Sequence, residues 1–221
     1  MRKSQLTVLV LLAAALTVFY LARAFCFDPV EGAAVCRTLE DFLDTYFDVP
    51  QKYLFWHSIG VGVAYLLFTF PYAEPIRLVR VKDLFSFEIK EGLLFALLVS
   101  CVVFFLYVFC GFLCGMSAEG LWLDDFVLLL RAFLYYYAMY LFAASLYCRT
   151  GKRVVSAAAV TAANFLLIAT VIGISFYILT GVSSAELQNV VYSVYIVLCI
   201  VGGTLCLYFE SGRLECVGSK E

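Results

Sequence analysis

The chain has 221 residues, 64% hydrophobic and 14% charged, with a net charge of −2 and a mean hydropathy of +0.97. A soluble domain is nearer half apolar and a quarter charged, so the solvent for much of this chain is lipid. The near-neutral balance excludes a nucleic-acid binder, which needs a basic face for phosphates; one histidine and nine cysteines without CxxC spacing exclude a histidine-rich zinc site.

The predicted fold is an all-α integral membrane protein, a single membrane domain over residues 1–221 with six transmembrane helices and both termini cytoplasmic. A short basic leader with Arg2 and Lys3 precedes the first apolar run. Leu6 to Phe27 reads as the first span, about 33 Å long at the helical rise per residue. A cleaved signal peptide is the alternative, since Ala22-Arg23-Ala24 has the small-x-small form of a cleavage site. Either reading puts the next segment outside. That segment, residues 28–52, carries six acids (Asp28, Glu31, Glu40, Asp41, Asp44, Asp48) against Arg37 and Lys52. Leu39, Phe42, Leu43, Tyr46 and Phe47 recur at helical spacing, so a short amphipathic helix is expected on the outer surface. Cys26 and Cys36 flank its start. In an oxidising compartment they form either a disulfide or two free thiols.

Residues 53–71 form the second predicted span, with Gly60, Gly62 and Ala64 as a close-packing face. His57 near its outer end reads as an interfacial packing residue. Pro71 to Gly92 then forms a cytoplasmic elbow with four basic and four acidic residues. The third span is expected over residues 93–114, the fourth over 126–147, the fifth over 154–179 and the sixth over 189–209. Cys148 to Arg153 makes a tight basic turn between the fourth and fifth.

Orientation follows from the basic residues. The segments placed inside hold eleven of the fifteen: Arg2, Lys3, Arg77, Arg80, Lys82, Lys90, Arg149, Lys152, Arg153, Arg213 and Lys220. The outer segments hold Arg23, Arg37 and Lys52. This bias fits the positive-inside rule.

Few residues have chemistry to offer. Arg131 is the one charge well inside an expected span, where an uncompensated charge costs several kcal/mol. It can snorkel outward or pair with Asp124, seven positions back on the same face. Tyr136 and Tyr140 share a helical face that should turn inward, because hydroxyls at membrane depth seek partners. Asn164 in the fifth span is a candidate partner. Arg131, Asp124, Tyr136, Tyr140 and Asn164 are therefore the intramembrane polar candidates. There is no GxxxxGK[ST], HExxH or GxSxG motif, and no nucleophile beside a base. Neither an enzyme nor a cofactor is expected.

Six spans, cytoplasmic termini and the elbow stretch Pro75-Ile76-Arg77-Leu78-Val79-Arg80-Val81-Lys82-Asp83 together resemble the ABC-2-type transporter permeases, especially the small subunits of bacterial peptide or lantibiotic export and immunity systems. The resemblance implies a multi-pass protein of the bacterial cell membrane. It implies pairing with a second permease subunit and with a cytoplasmic ATP-binding subunit that hydrolyses the ATP. Arg77, Arg80, Lys82, Asp83 and Glu88 of the elbow would form the coupling surface, and a hydrophobic or peptide substrate would move outward. The alternative is a non-transporting sensor, immunity or scaffold protein that binds through its acidic outer segment.

Overall fold

A computed structural model describes residues 83–113, 123–178 and 184–218, together with residues 6, 7, 10, 13, 14, 17, 18, 62 and 64–66 of the preceding chain. The secondary structure among these residues is helical, with no strand. Four long helices follow in order: α1 is Leu84–Leu113, α2 is Leu123–Thr150, α3 is Arg153–Ile178 and α4 is Ser184–Gly218. Among the described residues, three segments are long and apolar enough to cross a membrane: Leu84–Leu113, Leu129–Thr150 and Ser193–Gly212. The described residues of the expected first and second spans are also helical.

The start of α1 is set by a cap. Asp83 Oδ1 accepts the Ser86 backbone N–H at 2.9 Å, and Asp83 Oδ2 accepts the Ser86 hydroxyl at 2.5 Å. The Asp83 carbonyl takes the first intrahelical bond, from Phe87 N–H at 3.2 Å. An aspartate in this position satisfies one of the orphan donors of a helix start and places negative charge at the positive end of the helix dipole. The Ser86 bonds hold the Asp83 carboxyl below its ordinary value of 3.8, with Lys90 adding to the effect. Its native pKa is lowered, so the contribution of the cap is complete above the ordinary value. It is lost as pH falls through the lowered native one.

The helix then runs 30 residues without a break. At the standard rise that is about 45 Å, longer than a bilayer core, so α1 tilts or projects beyond it. This differs from the expected third span at residues 93–114. Gly92 lies inside the helix, and the second half of the elbow is its first two turns. Hydropathy finds where the apolar run begins, whereas the backbone becomes helical at the cap.

The buried face of α1 recurs every three to four residues: Leu84, Glu88, Gly92, Phe95, Ala96, Val99 and Val103. Leu97, Phe105, Phe109 and Phe112 point outward and are more than half exposed. α4 follows the same plan, with Ile196, Cys199 and Leu207 inside and Val197, Leu198, Val201 and Phe209 outside. A protein exterior made of large apolar side chains with polar groups inside is stable in lipid and unstable in water.

α2 is the centre of the bundle and packs along α4, α1 and α3. Its residues from Ala138 to Leu141 are all buried, as are Ala143 to Ser145. The helices approach closely where side chains are absent. A methyl group at Gly203 of α4 would stand 3.0 Å from Leu141 Cβ and 3.4 Å from the Phe142 amide nitrogen. Gly62 lies equally close to α3, where a methyl group would overlap the Thr161 hydroxyl. Such small-residue contacts are the usual means of joining helices where the hydrophobic effect gives no drive.

Several hydroxyls are satisfied by their own helix. Ser145 donates to Phe142 O, Thr161 to Ala157 O and Ser211 to Tyr208 O, at 2.9 to 3.0 Å. This back-bonding gives serine and threonine hydroxyls an acceptor within an apolar bundle.

Candidate functional site

The most unusual group in the bundle is Glu88. It sits on the buried stripe of α1, is 8% exposed, and accepts a hydrogen bond from Tyr140 Oη to Oε2 at 2.8 Å. Tyr140 comes from α2, ten residues before Thr150, so its backbone lies about 15 Å of helix from that end. A carboxyl this deep is costly to insert unless it is compensated.

The Glu88–Tyr140 pair is walled by aromatic rings. Tyr65 meets Tyr140 edge to face at 5.5 Å between centroids, and Phe95 lies against it at 5.4 Å. Such rings fill the space and hold the phenol in one orientation. Gly92, one turn beyond Glu88, supplies the room for the tyrosine. A Cβ there would be 2.7 Å from Tyr140 Cδ1 and 3.3 Å from Tyr137 Cε2. Helix α1 can therefore approach α2 at this level only because position 92 has no side chain.

A second polar centre uses a neighbouring face of α2, about 100° around the helix from Tyr140. Asn164 of α3 is 1% exposed; its Nδ2 donates to Met139 Sδ at 2.9 Å, and its Oδ1 faces Tyr195 Oη of α4 at 3.5 Å. A thioether is a weak acceptor, so this centre is held by weaker bonds than the glutamate–phenol pair. Met139 and Tyr140 are adjacent in sequence, and through them α2 bonds Asn164 of α3 and Glu88 of α1.

One end of the bundle gathers charge. α2 ends at Thr150, and Gly151 takes φ 65° and donates its N–H to Tyr147 O at 2.8 Å. This left-handed residue is one that glycine adopts without strain. Thr150 Oγ1 accepts the Lys152 N–H at 3.3 Å, and α3 begins one residue later. Arg149 and Lys152 are exposed on this turn. Arg153 lies over the Tyr147 ring at 4.8 Å, and its charge reaches both Glu88 and Tyr65. The start of α1 is at the same end, since Phe85 meets Tyr208 of α4 at 5.6 Å. Thus the described part of the elbow, the basic α2–α3 turn and the C-terminal part of α4 lie together.

The residues singled out on sequence fall into different places. Arg77, Arg80, Lys82, Cys26 and Cys36 lie outside the described residues. Asp83 is the cap of α1. Glu88, grouped on sequence with the coupling surface of the elbow, is placed inside the bundle. Tyr136, Tyr140 and Asn164 are buried, so the tyrosine face does turn inward. Asn164 bonds Met139 and faces Tyr195, and Tyr140 bonds Glu88. Arg131 is half-buried on α2, and Asp124 belongs to the first turn of the same helix.

Tyr65, Met139 and Gly92 were not recognised on sequence as parts of a site. For Glu88 there was a usable sign. Positions 84, 88, 92, 95 and 99 share one helical face whose other members are apolar or glycine, so an acid among them points inward. Nothing local in the sequence marks Met139 or Tyr65.

No protein-family profile, characterised protein or solved structure matches this chain.

Proposed function

We propose that the chain is the membrane-spanning permease subunit of an ABC-type exporter, in which a separate cytoplasmic subunit hydrolyses ATP. In this reading it crosses the cell membrane six times with both termini cytoplasmic, pairs with a second permease subunit and moves a hydrophobic or peptide substrate outward. The observation that carries the reading is the continuity of α1. Its cap, Asp83, directly follows Arg77, Arg80 and Lys82, and the same unbroken helix holds Glu88 against Tyr140 in the bundle. A push on the elbow would therefore act on the buried core through one rigid element. The gathering of the α1 start and the basic turn at Arg149, Lys152 and Arg153 at one end supports a common cytoplasmic face.

Gentle detergent extraction should bring an ATPase down with the wild-type chain. The double variant Arg77→Glu and Arg80→Glu should release it while the chain keeps its helical content. An ATPase-free wild-type preparation would contradict the permease reading. It would favour a sensor, immunity or scaffold protein binding through residues 28–52.

A further inference from the structure

We propose that Glu88 is a proton-binding site, a carboxyl that takes up and releases one proton inside the helix bundle. On the side of Tyr140, its environment admits few other ligands. Tyr65 and Phe95 pack on Tyr140 at van der Waals contact, and beside them position 92 lacks room even for a methyl group. A metal ion or an organic cation would have to force these rings apart; a proton enters without moving them.

The partners of the carboxyl point the same way. Glu88 has the Tyr140 hydroxyl as its hydrogen-bond donor and makes no ion pair within 4.0 Å among the described residues. An ionised carboxyl held in an apolar bundle by one neutral donor lacks the compensation that such a charge requires.

The other groups that act on it come from four elements. Glu91 is one turn on along α1, Arg153 acts from the start of α3, and Tyr65 and Tyr140 flank the pair. Cys148 of α2 also feels the Glu88 charge, and Glu210 of α4 acts on Cys148 in turn. Charged groups of both signs, Arg153 and Glu91, are thus among its neighbours.

The step balances simply: the carboxylate gains a proton from water at the end of the bundle that carries Arg149, Lys152 and Arg153, and returns it there. The Tyr140 hydroxyl remains the donor to Oε2 in both states. Proton binding here needs no ATPase partner, so its failure is separable from that of the permease reading.

Infrared difference spectra of the full-length protein in detergent micelles, recorded between pH 5 and pH 9, test this. The expected result is a carbonyl band of a protonated carboxylic acid that fades as pH rises. It should be absent from Glu88→Gln and displaced to higher frequency in Tyr140→Phe, where the carboxyl loses its donor. The idea is overturned by a band that does not change with pH, by no such band, or by the same titrating band in Glu88→Gln. Should Glu88→Gln fail to fold, Tyr140→Phe decides: a titrating band at the wild-type frequency would contradict the assignment.

Discussion

Tyr140→Ala is expected to be the most damaging single substitution in the described part of the chain. The side chain is 2% exposed, touches Tyr65 and Phe95, and is the donor to Glu88. Truncating a large buried aromatic costs about 3–5 kcal/mol through lost packing and the cavity left behind. The stranded carboxyl adds a further penalty, because a buried acceptor loses its donor. Denaturant unfolding in mixed micelles should show a loss at least as large as for any other buried tyrosine changed to alanine. A loss below about 1 kcal/mol would mean that the rings around Tyr140 collapse readily, against the packing described above.

Gly92→Leu is expected to be nearly as severe, by the opposite mechanism. Even a Cβ meets the Tyr140 ring at 2.7 Å, and that ring is backed by Tyr65 and Phe95 and fixed by its bond to Glu88. The remaining atoms of a leucine have no space at all. Overpacking of this kind costs roughly 1–3 kcal/mol and at times more. The substitution should also separate α1 from α2, which cross-linking between cysteines introduced on the two helices would report. Gly212 makes a fitting control, since a Cβ there meets nothing within 4 Å. Equal effects of leucine at positions 92 and 212 would contradict the close contact.

Both expectations depend on a long-range pairing, and here the limits of sequence reading become physical. Hydropathy located the apolar parts of all four long helices, because lipid demands long apolar runs whatever the fold. It placed the third span at 93–114 and the sixth at 189–209, whereas the helices extend over Leu84–Leu113 and Ser184–Gly218. Lys90, Glu91 and Glu210 do not interrupt helical backbone; they only end the apolar run. Helix ends are decided by local bonds such as those of Asp83 and Gly151, and these leave little mark on a hydropathy profile.

The inward turn of Tyr136 and Tyr140 was legible from spacing, because periodicity is a local property. The identity of their partners was not. Glu88 and Tyr140 are 52 positions apart, and Asn164 reaches Met139 and Tyr195 across two other helices. Such pairs depend on how the helices rotate about their axes, which packing at Gly92 and Gly203 sets. Sequence groups Glu88 with the charged elbow because charge normally marks a solvated segment. Its place on an otherwise apolar stripe was the better guide.

The central claim is that the Glu88–Tyr140 bond holds α1 against α2 inside the bundle. A double-mutant cycle of Glu88→Leu, which removes the acceptor, and Tyr140→Phe, which removes the donor, followed by unfolding in mixed micelles, tests it most directly. The bond predicts a coupling of about 0.5–1.7 kcal/mol, the range that such cycles give for interhelical hydrogen bonds in membranes. Strictly additive single effects would mean that the two groups do not interact, and would contradict the arrangement on which the site is built.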